Sequence, residues 1–264
     1  NTNWLDYFFR TGVAQNQVLS FSQGGKNLSS FTSIGFMNQE GILRNTDLKR
    51  FSFRSNINGK SNDGKFNYSS NVTVNFSRRN EAGNLGTGGV NQNYVLGANS
   101  SVPYISPDDY STSEQLFADY NADGTLRLTP LFLVDKLKTF TNRVDELKGI
   151  AALEGSYKIT KDLTFGSNLG IDYTQSNSTT WQSPTAFNSL IFEASNGYVG
   201  FQSQAFSRTF TANTNTRLNY SKTFADKHSV DLGVYTEYYK AHFDSFNYRQ
   251  NGLDPKVSSP GNGA

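Results

Sequence analysis

The residues with the best claim to chemistry lie in "DYNADG" (119–124). Asp119, Asn121 and Asp123 ahead of Gly124 reproduce the opening of a calcium loop, in which alternate oxygen-bearing side chains converge on one hard cation. Such a loop closes its shell with a bidentate Glu at its twelfth position, and that position holds Pro130. The stretch therefore reads as an Asn/Asp/Gly turn, with these three residues the one metal candidate in the chain. His228 and His242 are far apart and have no cysteine to join them in a ligand set. Glu154 and Asp172 fall on neighbouring polar faces, where carboxylates are more often solvated or hydrogen-bonded than catalytic. No G-x-S-x-G elbow places a serine beside a base, and "GNLGTGG" (83–89) lacks the strand-to-helix setting of a phosphate cradle. No catalytic site and no cofactor is expected.

Composition narrows what else the chain can be. Its 264 residues include 24 Lys and Arg against 22 Asp and Glu, a net charge of +2, with no basic run to hold nucleic acid. Cysteine is absent, which removes disulfides, thiolate metal sites and Cys nucleophiles. Mean hydropathy is −0.55, and Phe (21) and Tyr (14) carry much of the apolar load that Leu, Ile and Val carry in a soluble core. No apolar run approaches the roughly 20 residues of a membrane helix; "PLFLV" (130–134) is among the longest. The opening "NTNWLDYFFRTG" reads as mid-protein sequence with no signal peptide.

The elements that must position any site are strands with two unlike faces. In "KFNYSSNVTVNF" (65–76), Phe66, Tyr68, Val72, Val74 and Phe76 alternate with Asn67, Ser69, Asn71, Thr73 and Asn75, Ser70 being the exception. The same period-two pattern recurs in 51–57, 163–173, 206–224 and 229–243, and in weaker form in 14–24, 27–39 and 146–159. About eight strands result, and only "STSEQLFADY" (111–120) could form a short helix. Short turns fall at 24–27, 59–65, 160–163 and 225–228, and longer connections near 38–49, 80–145, 175–203 and after 244. An antiparallel up-and-down sheet with short turns at one end and long loops at the other is the arrangement of an outer-membrane barrel. Strands of 12 or more residues exceed those of a soluble sandwich, whereas a membrane crossing needs about 9–11. The polar faces are Asn, Ser, Thr and Gly rather than the Lys and Glu of a water-facing sheet. The expected fold is all-β: a segment of a transmembrane β-barrel, its apolar face toward lipid and its polar face toward the lumen.

The stretch "FRTGVAQNQVLSFSQGGKNLSSFTSIGFMNQEGILRNTDLKRFSFRSNING" (9–59) resembles the barrel of the SusC/RagA-type TonB-dependent transporters of Bacteroidetes. The resemblance rests on "NTNWLDYFFRTG", "QNQVLSFSQGG", "FMNQEGIL" and "NTDLKRFSFRSNIN" in order, with "SQGG" (Ser22 to Gly25) where the family has "SGG". It is specific over roughly the first 80 residues. It implies a barrel of about 22 strands, of which residues 1–264 are one part, running from about the second strand to the ninth. It also implies a plug domain and a TonB-contacting segment lying elsewhere in the protein, a SusD-like surface lipoprotein as lid, and a Gram-negative outer membrane as location. The cargo it implies is an oligosaccharide or peptide too large for simple porins.

Sugar rings stack on aromatic faces, so Trp181, Tyr104, Tyr110 and Tyr198 are the candidate cargo contacts; girdle or loop-packing roles are their alternative. The loop at about 80–145 is expected on the extracellular side, partly folded and contributing to cargo or lid contact. Two other readings stay open: a stand-alone eight-stranded barrel with a structural or adhesive role, and a secreted β-rich glycan-binding module. Against the first, the inward small residues (Gly166, Asn168 and Gly170; Ser69, Asn71 and Thr73) would leave a narrow barrel underfilled. The first and last strands are therefore expected to be unpaired with each other.

Overall fold

The computed structural model describes residues 1–82, 89–124, 126–192, 197–225, 227–254 and 256. Eight antiparallel strands form one sheet in strict sequence order: β1 (Ala14–Gly24), β2 (Leu28–Glu40), β3 (Asp47–Lys60), β4 (Phe66–Asn80), β5 (Phe140–Lys158), β6 (Leu163–Gln182), β7 (Phe201–Phe224) and β8 (His228–Asn251). Among the described residues β1 pairs only with β2 and β8 only with β7. The sheet is open, as expected, and eight strands do not close a barrel here.

Because each strand follows its neighbour, the connections alternate between the two ends of the sheet. Tight turns join β1–β2, β3–β4, β5–β6 and β7–β8, with Ser61 accepting from the Phe66 backbone and Thr160 from that of Leu163. The opposite end carries residues 41–46, 81–139 and 183–200, so the long 81–139 segment lies away from the turns at 159–162 and 225–227. The connection expected near 38–49 is shorter than it reads. Pairing runs on to Glu40↔Asp47, and a Gly41 N–H to Thr46 carbonyl bond of 2.9 Å closes a compact turn.

Several strands also begin earlier or end later than their apolar alternation does. β5 starts at Phe140 rather than near 146, and β8 ends at Asn251 rather than near 243. The hydrogen-bond ladder needs no apolar residue, so it continues where the apolar signal stops.

Register assigns the faces, because directly opposed residues share one. Phe36, Phe51 and Phe76 form one row with Leu147, and Phe66, Tyr157 and Phe165 form another row nearer the turns. Between them the same face carries Val72, Val74, Ala151, Leu153, Leu169 and Ile171. From β4 to β7 both borders of this apolar band move two residues toward the turns, the upper to Phe210 and the lower to Tyr220. A band of constant height crossed by tilted strands must drift in this way. The ten steps from Phe66 to Phe76 span about 33 Å of strand, which at barrel tilts fits an apolar band roughly 25 Å tall. Phe36, Phe51, Phe76, Phe66 and Phe165 are all exposed, between 41% and 48%.

The buried core lies elsewhere, in the long loops. Helices α1 (Trp4–Phe8), α2 (Tyr94–Ser100), α3 (Ser113–Asp123), α4 (Thr129–Thr139) and α5 (Phe187–Phe192) pack Trp4, Phe8, Tyr94, Leu116, Phe132, Leu133 and Phe187 together. Sequence reading expected at most one short helix, over 111–120. α4 hid because its buried residues run without a break from Thr129 to Lys136, Asp135 and Lys136 among them, and so show no one-sided apolar stripe. Among the described residues no helix is long and apolar enough to cross a membrane.

Gly200 shows how tightly the second loop is tied. Its φ is +73°, and an added Cβ would lie 2.6 Å from the Pro184 backbone. Gly200→Ala is expected to cost about 2–4 kcal/mol, combining left-handed strain with overpacking. Limited proteolysis should show faster cleavage within 183–200 in that variant, with the turns at the other end unaffected.

Candidate functional site: the polar face and the loop cluster

Two features can do chemistry: the polar face of the sheet and the helical cluster at its long-loop end. On the polar face, one row reads Ser29, Asn58, Ser69, Glu154, Asn168, Asn215 and Glu237 across β2 to β8. Arg217 faces Gly166, and the missing Cβ there leaves room for the guanidinium, which would otherwise lie 2.9 Å from it. Arg217 thus reaches Glu154 across β6, at 3.3 Å. The Asn168 side chain accepts from the Asn215 backbone N–H at 3.0 Å, and Asp172 accepts from Thr174. These groups hydrogen-bond one another along the polar face; none of them is arranged as an acid–base pair.

At the long-loop end a single carboxylate organises the cluster. Asp135, on α4 and 1% exposed, accepts from the Tyr110 hydroxyl (2.9 Å), the Ser113 hydroxyl, the Thr139 hydroxyl (3.2 Å) and the Phe187 backbone N–H (3.0 Å). It therefore pins residues 110–113 and the start of α5 to one helix. Lys136 beside it is buried too, donating to the Gln92 carbonyl at 2.9 Å and lying over the Tyr94 and Phe140 rings. Sequence reasoning missed this hub, although "TPLFLVDKLK" held its signal: a proline at a helix start, then an apolar run broken by one Asp.

Burial sets the ionisation of this core. It raises the Tyr110 phenol to about 12 and pushes Tyr94 up further, with Asp135 adding to both, and it lowers the Lys136 ammonium. The tyrosines hold their protons in the fold but release them near 10.0 when unfolded. Between about pH 10 and 12 the folded chain then binds more protons, so stability falls as pH rises through that window. Lys136 acts oppositely: below its ordinary 10.5 the unfolded chain binds more protons, and this part of stability grows with pH. Tyrosinate absorbance during an alkaline titration should show a late-ionising fraction that shrinks in Tyr110→Phe.

The expected site residues separate into two kinds. Tyr104 and Tyr198 are 68% and 52% exposed at the long-loop end, their rings free. Tyr110 is packed against the loop core and bonded to Asp135, with Lys138 Nζ 4.2 Å above its ring. That is the loop-packing alternative. Trp181, near the end of β6, has its indole Nε1 buried without a partner. The four lie at one end of the sheet, and the structure records no contact among them.

The calcium-like stretch is not a loop. Asp119, Asn121 and Asp123 lie on the last turns of α3, and Gly124, at φ 64°, is its left-handed cap. Asp119 accepts from Gln115 and Asp123 pairs with Arg127, so helical pitch replaces the convergence that a cation needs. Among the described residues no group of three His, Cys, Asp or Glu could hold a metal. The glycine-rich 83–89 lies almost wholly outside the described residues.

No protein-family model matches the chain. Among curated proteins it is similar to the TonB-dependent receptor SusC of Bacteroides thetaiotaomicron, at 24% identity over 98% of the chain and 26% of that receptor. It is 26% identical to the TonB-dependent receptor P3 of Formosa agariphila, over 89% of the chain and 22% of the receptor. The chain is homologous to the SusC-type TonB-dependent receptors. It spans about a quarter of the length of these relatives. The fold agrees: the RagAB peptide importer in its closed-closed state superposes with a TM-score of 0.75 at 18% identity, covering 99% of the chain and 28% of the importer chain. Its open-open state gives the same TM-score at 19% identity. The sheet is an unclosed segment of barrel that matches part of the importer's barrel.

Proposed function

We propose that this chain is wall and loop of a TonB-dependent importer of the Gram-negative outer membrane. In that reading it works with a SusD-like surface lipoprotein and takes up an oligosaccharide or peptide. The observation that carries it is the sheet itself, with an exposed apolar band on one face, a hydrogen-bonding wall on the other and structured loops at one end. A secreted glycan-binding module would have to leave that band in water, and a stand-alone eight-stranded barrel would need β1 joined to β8. The polar face lines the passage, the band meets lipid, and the long loops face outward toward cargo and lid. Energy comes through TonB acting on a plug in another part of the protein. A solved structure of the same fold that is named for peptide import favours the peptide option, while the amide-rich wall suits sugars equally.

The test uses the full-length receptor in its host. Deleting the receptor or TonB should abolish uptake of the same oligosaccharide or peptide class, and loss of the lipoprotein should weaken it. Uptake that persists without TonB, or a receptor that purifies without detergent, would contradict the proposal. Tyr104→Ala and Tyr198→Ala should each raise the KM for uptake about 2–10-fold, the worth of one aromatic contact. Tyr110→Ala should instead loosen the loop core.

A further inference from the structure

Beyond the upper edge of the apolar band, the same face changes chemistry within one step of the register. Phe36, Phe51 and Phe76 lie side by side; two residues further along, on that face, stand Asn38, Lys49 and Arg78. Arg78 pairs with Asp145 at 2.6 Å, and Arg143 reaches the same carboxylate at 3.3 Å, so one anion serves two guanidiniums. Lys49 stands directly opposite Arg78, a like-charge cross-strand pair that costs stability unless an anion lies between them. Asn38 and Lys49 also line a cavity of about 520 Å³, into which Arg44 and Lys138 come from the loops; of its three carboxylates Glu40 pairs with Arg10, Glu81 with Arg79, and Asp47 accepts from Asn80, which leaves the cations in excess. Among the described residues no carboxylate pairs with Arg44, Lys49 or Lys138. Arg44 is held by the Tyr7 and Asp6 carbonyls, which fix its position without cancelling its charge.

An apolar strip that runs into an undercompensated cationic pocket is complementary to an amphiphile with an anionic head. We infer that this corner binds a phosphorylated lipid of the leaflet on the long-loop side. Its acyl chains lie along Phe36, Phe51 and Phe76, and its phosphate sits between Lys49 and Lys138, with Arg78 beside Lys49 on the sheet. Phosphate offers several acceptor oxygens to guanidinium and ammonium donors at once. Free phosphate would satisfy the cations but leave the strip empty. The inference rests on the apolar face meeting lipid, and adds which lipid and where.

The test is retention of monophosphoryl lipid A by the detergent-purified full-length receptor, read by native mass spectrometry, against the same lipid with its phosphate removed. Retention of the phosphorylated lipid should be stronger, and the combined Lys49→Gln and Lys138→Gln variant should lose roughly 10–30-fold in affinity. Heat-modifiable migration of the variant on a gel confirms that it still folds. Equal retention of the two lipids, or equal retention by wild type and variant, would overturn the inference. Inorganic phosphate competing as well as the lipid would assign the pocket to a free anion and overturn it too. A receptor that needs no detergent would instead overturn the membrane reading beneath it.

Discussion

Asp135→Ala is expected to destabilise the loop cluster by about 3–5 kcal/mol, because four donors aimed at one buried carboxylate lose their acceptor together. Their desolvation has already been met, and water cannot easily reach a site only 1% exposed. The effect should be local, since the hub joins residues 110–113, α4 and the start of α5 but takes no part in the sheet ladder. Hydrogen exchange should accelerate by about 100-fold or more across 110–139 and 187–192, while the amides of β6 and β7 keep their protection. Asp135→Asn keeps the volume but turns an amide nitrogen toward donors, and should cost about 2 kcal/mol. Uniform acceleration over the whole sheet would show that the cluster and the wall open as one unit.

Val72→Arg should be nearly as damaging, for a different reason. Val72 lies midway between Phe66 and Phe76, the two borders of the band on β4. A guanidinium there would sit at the centre of the hydrocarbon, costing about 2–4 kcal/mol in a barrel wall. Its neighbour Asn71 points to the other face, opposite Asn56 and Ala152. Asn71→Arg should change stability by no more than about 0.5 kcal/mol. Urea unfolding in lipid vesicles measures both, and the contrast between adjacent residues carries the information. Equal penalties would mean that the two faces are not differently solvated.

Alternation in the sequence was enough to find all eight strands, their order and which residues of β4 share a face, because two faces with unlike surroundings impose period two. The ends of β5 and β8 were not legible, since beyond the band neither face is held to apolar residues. The loop cluster was hidden for the converse reason. Trp4, Phe8, Tyr94 and Phe132 come from segments far apart in the chain, each too short to show a period of its own. Of the candidate contacts, Tyr104 and Tyr198 proved exposed, and Tyr110 did not. No local pattern separates them, because the partner that claims Tyr110 is Asp135, 25 residues away. The "DYNADG" stretch reads as a turn but forms the end of α3, because Asp-Gly ends a helix as readily as it makes a free turn, and only the backbone distinguishes the two.

Which face of the sheet meets lipid is directly measurable, and residues 1–264 hold no cysteine to compete with an introduced one. Single cysteines placed in turn at residues 66 to 76 of the full-length receptor, reconstituted in vesicles, would carry a fluorophore read with a lipid-confined and a water-soluble quencher. Labels at 66, 68, 72, 74 and 76 should respond to the lipid quencher and those at 67, 69, 71 and 73 to the aqueous one, alternating residue by residue. The opposite alternation, or no alternation, would contradict the assignment of the apolar face to the membrane.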